Sequence, residues 1–267
     1  MRTWLAAMVP AACISLVGTT MAQDDGGGGT GAGDQGPVGE AQSWVGSWFE
    51  GWEGSIAAGL NGSTGNTERF NLRAELEGTR TTEYTDTRSL LLYSYGEDDG
   101  DESENRFFGS TRTDWLEYEP WRPFVQGSFD IDQFQDWDTR LTAYAGVGYE
   151  FIKTDTSEFL GRVGLGTNIE LGAESGDVYS IEALLGVDYT EQISERQKLR
   201  LSAELLPRVD GPLGPYRVNA RGTWELLVDP ETNLSLRLGV EDRYQSSPGE
   251  GFKRNDLDYF AVLTWSF

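Results

Sequence analysis

The sequence predicts an all-β fold: a single twelve-stranded, antiparallel, up-and-down transmembrane barrel of the outer-membrane kind. Three observations carry that prediction. From Trp52 to the end, apolar and polar residues alternate with period two, and no window of comparable length shows helical periodicity. Turn chemistry cuts this region into an even number of segments. Those from the sixth onward run to about a dozen residues, beyond the ~5–6 of soluble sheets and suited to a tilted strand crossing a bilayer, which needs ~9–11. The chain ends Asp258-Tyr259-Phe260-Ala261-Val262-Leu263-Thr264-Trp265-Ser266-Phe267, a terminal aromatic with apolar residues at alternate positions before it.

Composition narrows the choice further. The chain has 267 residues, 44 acidic against 21 basic side chains, no histidine, one cysteine and 34 glycines. Without histidine there is no Ser-His or Cys-His nucleophile pair and no imidazole base near neutral pH. One cysteine makes neither a disulfide framework nor a Cys-rich metal cluster. A formal charge of −23 argues against nucleic acid as a partner, because phosphate binding needs a basic face. Mean hydropathy of −0.46 and the lack of a long apolar run after the start exclude a helical membrane protein. They leave a barrel open, since its strands hide apolar residues by alternation.

Met1 to Ala22 reads as a secretory signal peptide: Arg2 is its only charge, an apolar stretch runs from Trp4 to Val17, and Thr20-Met21-Ala22 supplies the small residues of a cleavage site before Gln23. A retained N-terminal helix is short for a span. A lipoprotein signal at Cys13 is disfavoured by Pro10-Ala11-Ala12. Cleavage leaves a chain without thiols and with 20 basic against 44 acidic side chains, a formal charge of −24. Gln23 to Ser43 is glycine-rich and acidic, has almost nothing apolar to bury, and is expected to be disordered. The barrel domain is taken as 44–267. Trp44, Trp48 and Trp52 follow at spacing four, which suits one face of a short interfacial helix, although Trp52 equally suits the entry to the first strand.

Strands are expected at 52–63, 68–80, 86–96, 105–118, 123–132, 138–152, 158–172, 177–189, 198–209, 215–228, 233–246 and 256–267. The breaks carry turn residues: Thr64-Gly65-Asn66, Glu174-Ser175-Gly176-Asp177, Asp210-Gly211-Pro212, Asp229-Pro230 and Ser247-Pro248-Gly249. The cleanest alternation sets Phe70, Leu72, Ala74 and Leu76 against Asn71, Arg73, Glu75 and Glu77. Another sets Tyr179, Ile181, Ala183, Leu185, Val187 and Tyr189 against Ser180, Glu182, Leu184, Gly186 and Asp188.

Alternation alone does not say which face points inward; a soluble barrel puts the apolar set inside, a membrane barrel outside. Aromatics of the apolar set gather at strand ends (Trp52, Tyr149, Phe151, Phe159, Tyr179, Tyr189, Tyr216, Tyr259, Trp265), as two girdles at lipid–water boundaries require. Arg73, Arg88, Arg106, Arg112, Arg140, Arg162, Arg200, Arg208, Arg217, Arg221, Arg237 and Arg243 all fall mid-strand on the polar set. The ending, through Tyr259, Leu263, Trp265 and Phe267, resembles the last-strand signal read by the outer-membrane assembly machinery. A membrane barrel is therefore expected over a soluble periplasmic one. Its partners would be outer-membrane lipid, lipopolysaccharide and that machinery.

The first hairpin, Trp52-Glu53-Gly54-Ser55-Ile56-Ala57-Ala58-Gly59-Leu60-Asn61-Gly62-Ser63-Thr64-Gly65-Asn66-Thr67 followed by Phe70-Asn71-Leu72, resembles the start of domain-of-unknown-function family 481. Its members are often labelled salt-induced outer-membrane proteins of the YdiY type. Tyr144-Ala145-Gly146-Val147-Gly148-Tyr149 resembles its middle strands. The resemblance covers residues 52–267. It implies a Gram-negative outer-membrane barrel and a salt response, and supplies no catalytic residues.

With both termini on the periplasmic side, external loops are expected near 64–67, 97–104, 133–137, 173–176, 210–214 and 247–255. Glu97 to Glu104 holds six acids in eight residues. Clustered carboxylates suit Ca²⁺ or Mg²⁺, but the order of an EF-hand is missing and a solvated acidic loop is favoured. The lumen is expected to be lined by Arg73, Glu75, Arg112, Asp114, Arg140, Glu150, Arg162, Glu182, Arg200, Glu204, Arg221, Glu225, Arg237 and Glu241. Such mixed charge either pairs across strands and fills the interior, or lines a narrow path for small polar solutes. No cofactor is expected. An enzyme is the reading from another class, and the absence of a histidine base weighs against it.

Overall fold

The computed structural model describes residues 51–63, 68–173, 176–211 and 214–267. The expected signal peptide, the glycine-rich arm, Trp44, Trp48 and the Thr64-Gly65-Asn66 turn lie outside the described residues. Twelve strands are present: β1 (Glu53–Ser63), β2 (Arg69–Thr81), β3 (Thr85–Asp98), β4 (Asp101–Trp115), β5 (Trp121–Asp132), β6 (Thr139–Lys153), β7 (Ser157–Leu171), β8 (Val178–Ser194), β9 (Gln197–Pro207), β10 (Tyr216–Asp229), β11 (Leu234–Gln245) and β12 (Asn255–Ser266). Each pairs antiparallel with its neighbours in sequence, and β12 returns to β1, so the sheet closes into a barrel. Closure removes the unpaired edges that a sheet in lipid cannot tolerate.

The two rims differ. The start of β1, the end of β12 and the connections 82–84, 116–120, 154–156, 195–196 and 230–233 lie at one rim, hereafter the terminal rim; the opposite, loop rim carries 133–138, 172–173, 176–177, 208–211, 214–215 and 246–254. Three of the four register shifts, at Glu150/Ile152, Gln192/Ser194 and Leu227/Asp229, sit beside the terminal rim, where bulges commonly turn a strand. The closing seam is short. β1 meets β12 only from Ser55↔Ser266 to Ala58↔Leu263, with Gly54 and Phe267 exchanging backbone hydrogen bonds beyond, whereas all of β1 pairs with β2.

The apolar set faces outward. On β7 Val163 is 52% and Leu165 61% exposed, while the intervening β8 residue Leu184, on the inner face, is fully buried. Ile56, Leu76, Val125, Leu141, Ile181, Leu201, Leu238 and Leu263 continue this belt round the ring. A continuous apolar belt of that extent is unstable in water and matched to hydrocarbon. Aromatic rings mark its edges. At the terminal rim Trp121, Tyr149, Phe151, Phe159 and Tyr189 form a chain of ring contacts with centroids 4.8 to 6.5 Å apart, and Trp265 meets Phe267. Near the loop rim Phe70 meets Tyr95, Phe107 meets Phe129, and Tyr216 stacks on Tyr244. These are two girdles, and the fold is the inside-out arrangement of a transmembrane barrel.

Several boundaries need correction. The expected external loop 97–104 is mostly strand: β3 runs to Asp98, β4 starts at Asp101, and the turn is Asp99-Gly100. Asp99 (φ 52°) and Gly100 (φ 89°) both have left-handed backbone, as a two-residue turn matched to sheet twist demands, and Asp-Gly supplies it. The acids of this stretch therefore alternate between the two faces of a hairpin. Among the described residues no three acids converge as a metal site. At the other end β4 stops at Trp115, not 118, and β5 begins at Trp121, which brings Arg122 into the barrel wall. β9 ends at Pro207, so Arg208 is not mid-strand; it bonds Asp210 at 2.6 Å at the loop rim. The Arg208 guanidinium, with the Ile181 N–H, holds the Asp210 carboxyl below the usual carboxylate range. β8 runs five residues past its expected end, to Ser194, before a tight turn into β9.

Candidate functional site: a cross-braced polar lumen

Period two fixes what faces the lumen. Because lipid claims the apolar residues of each strand, the charged ones point inward, where they must find partners or water. All fourteen expected lumen residues lie on inward-facing strand positions; Glu75 is 2% and Arg237 1% exposed. They do not share one role. Arg112, Arg140, Arg162, Arg200, Glu204, Arg221, Glu225, Arg237 and Glu241 border the open cavity, whereas Arg73, Glu75, Asp114, Glu150 and Glu182 are packed behind them against the wall.

The pairing runs across the lumen, not merely between neighbours. Arg106 on β4 grips Asp130 with two bonds of 2.9 and 3.0 Å and reaches Glu241 on β11 at 2.9 Å. Arg243 on β11 meets Asp132 on β5 at 3.1 Å, and those strands lie six apart in either direction round the ring. Arg112 on β4 bonds Asp188 on β8 at 2.9 Å; Arg162 on β7 bonds the same carboxylate and Glu204 on β9. On the other side Arg237 holds Glu225, Glu77 and Glu75, while Arg221 and Arg73 complete the shell of Glu75. Arg217 pairs with Glu182 at 2.6 Å and with the Tyr144 hydroxyl at 3.2 Å. Guanidinium forks suit this work, since each can bind two carboxylates at once in a fixed plane.

Part of the interior is apolar. Phe124, Tyr144, Leu184 and Leu206 pack together on the inner face between β5 and β9. The backbone there leaves no room for another side chain: a Cβ on Gly146 would lie 2.1 Å from the Val163 carbonyl oxygen and 2.9 Å from the Phe124 ring. Arginines also lie over inward rings, Arg73 on Phe260 at 3.9 Å and Arg140 on Trp137 at 4.3 Å.

Between these braces remains a cavity of about 990 Å³ whose lining reaches both rims, from Glu53, Asn233 and Ser266 at the terminal rim to Gln135, Lys253 and Arg254 at the loop rim. Averaged over a ~30 Å bilayer core, this volume is a path of about 30 Å² cross-section, roughly the width of one small polar molecule. Residues that the sequence reading left out of the lumen include Arg122, which pairs with Glu150, and Asp86, Asp130 and Asp132, all buried on the inner face. Arg122 lay just outside the expected strand. The three aspartates occupy polar-set positions, so the alternation itself marked them.

The fold and the lumen thus define a transmembrane barrel with a charged, cross-braced interior. The chain belongs to the family described as "Protein of unknown function, DUF481", whose model matches residues 56–267. No curated protein sequence matches it. Among solved structures it is similar to the NanC porin (8% identity, 80% of this chain and 98% of that one, TM-score 0.49). Others are the translocator domain of the autotransporter NalP from Neisseria meningitidis (11%, 86% and 94%, TM-score 0.41) and the outer-membrane channel DcaP of Acinetobacter baumannii (9%, 81% and 97%, TM-score 0.37). At such identities the likeness is one of strand architecture, and nothing about cargo follows from it.

Proposed function

We propose that this protein resides in the outer membrane of a Gram-negative envelope and provides a narrow, passive path for small polar solutes. The carrying observation is the cavity whose polar lining extends from one rim to the other. The outward belt and its two aromatic girdles support membrane placement. The terminal rim would face the periplasm and the loop rim the outside, against lipopolysaccharide. The chain reads as a non-enzyme: it has no histidine to serve as a base near neutral pH, and lumen carboxylates such as Asp130, Glu182 and Glu225 are engaged by arginines. A part in osmotic or salt response rests on the family resemblance alone; unchanged growth in high salt after loss of the protein would remove it.

Single-channel recording in planar bilayers tests the path. Small, steady steps that scale with salt concentration are expected, below those of open sixteen-stranded pores because the interior is braced. A second reading, a closed structural barrel, is favoured by the Arg243–Asp132 and Arg106–Glu241 bridges that span the lumen. Silence at every ionic strength, with the protein shown to be inserted, would establish that reading instead.

A further inference from the structure

The side chains that border the cavity are richer in cations than the chain as a whole. The whole chain is acidic by 44 to 21, yet thirteen basic and nine acidic side chains border the cavity. Most of those cations are committed to carboxylates. Near the terminal rim the pairing is looser: Lys198 has no carboxylate partner among the described residues, Arg200 reaches Glu225 only at 3.7 Å, and Arg88, bound to Asp86 at 2.7 Å, keeps a half-exposed side chain. Lys198 and Arg200 lie two apart on β9, on the same inward face, and Arg88 comes from β3, diametrically across the ring. All three border the same cavity, where Lys198 feels the charges of Arg200 and Arg88 as well as those of Glu225 and Glu77.

The nearby acids are already engaged. Glu225 sits directly across from Lys198 in the β9–β10 register, but its Oε2 accepts a hydrogen bond from Arg237 Nε at 3.0 Å and lies 2.9 Å from Arg237 Nη2. Arg200 approaches it only to 3.7 Å. Glu77 is also taken by Arg237, Glu158 lies 3.5 Å from Arg122, and Asp86 is bound by Arg88. Among the described residues no carboxylate comes within 4.0 Å of the Lys198 amine. Thr190 and Thr223 flank Arg200 in register on either side and also border the cavity, adding hydroxyl donors. An unpaired ammonium at a partly desolvated site, beside two cations that each keep an exposed face, is costly unless an anion is supplied.

We propose that Lys198, Arg200 and Arg88 form a binding site for small polyanions of the carboxylate or phosphate class, and that it biases the path toward anions. The bias rests on the passage proposed above; the site itself does not. At the opposite mouth Lys253 and Arg254 border the same cavity with no carboxylate in ion-pair range among the described residues, so an anion would meet positive charge at entry and again at the far end.

Two measurements decide it. Calorimetric titration of the detergent-solubilised full chain with pyrophosphate should show saturable binding, weakened roughly ten-fold or more in a Lys198→Gln/Arg200→Gln double variant. Both groups project into open cavity and their loss strands no fully buried carboxylate, so the variant should fold; barrel migration on unheated gels checks this. Absence of binding, or equal binding by wild type and a folded double variant, overturns the site. Reversal potentials in a potassium chloride gradient should then give a chloride-over-potassium permeability ratio above one, reduced in the double variant. A cation-selective wild type overturns the bias even if pyrophosphate binds. A non-conducting wild type ends the passage reading while the titration still decides the site.

Discussion

At the scale of single residues, the lumen is a set of carboxylates that cannot afford to lose their guanidiniums. Arg237 is the sharpest case. It is 1% exposed and bonds Glu225, Glu77 and the buried Glu75. Replacing it with methionine keeps much of the side-chain volume but leaves charge uncompensated in the wall, at a cost of about 3–5 kcal/mol. Urea unfolding of Arg237→Met in lipid vesicles should show that loss. Arg69→Met, whose pair with Asp98 at 3.3 Å is about half exposed on both sides, should change stability by less than about 1 kcal/mol. Equal effects would mean that the interior is far wetter than its burial indicates. Most of these residues were legible in the sequence because alternation assigns each one a face. What alternation could not give is the partner. Arg243–Asp132 joins residues 111 apart on opposite walls, and only barrel closure, with its stagger, brings them together.

At the scale of elements, what the sequence showed was the strand cores; what it hid was the ends. The hairpin at Asp99-Gly100 was obscured by its own charge, since six acids in eight residues read as loop by composition while the Asp-Gly pair marks a tight turn. Arg122 lies one residue before Pro123, whose missing N–H marks a strand start in the sequence; the proline is accommodated inside β5 because β4 pairs with β5 only as far as Phe124. The closing seam is the element with fewest pairs. Only the last third of β12 reaches β1, and it is there that the Trp265 and Phe267 rings meet at a tilt, centroids 5.4 Å apart. We propose that these rings, with Leu263, are what the assembly machinery engages before the seam closes. A Trp265→Ala/Phe267→Ala variant should therefore leave less heat-modifiable barrel in the membrane fraction of cells, yet refold in detergent to nearly wild-type yield. A matching loss in both settings would reduce the pair to ordinary girdle packing.

At the scale of the whole molecule, a chain with a formal charge of −23 and negative mean hydropathy looks soluble until its residues are sorted by direction. The mid-strand arginines and their acids go inward, further acids sit at the rims, and the outer wall between the girdles is mostly apolar. Averages over the sequence mix two surfaces that the fold keeps apart. The separation makes a prediction about tryptophan, because the described indoles are distributed between the surfaces. Trp115, Trp121, Trp224 and Trp265 occupy outward strand positions, whereas Trp137 is buried inside beneath Arg140. Bromine on an acyl chain quenches indole fluorescence only at contact range, so vesicles of brominated lipid should remove a large share of the emission and leave a residue from Trp137 and any indole outside the wall. A water-soluble quencher should reach little of what the lipid removes. Replacing Trp224 and Trp265 with phenylalanine, which preserves the apolar surface, should shrink the lipid-quenched share and leave the remainder unchanged. If emission were the same in brominated and ordinary vesicles, with the protein co-migrating with the vesicles in both, the outward belt would not face hydrocarbon and the membrane reading would fall.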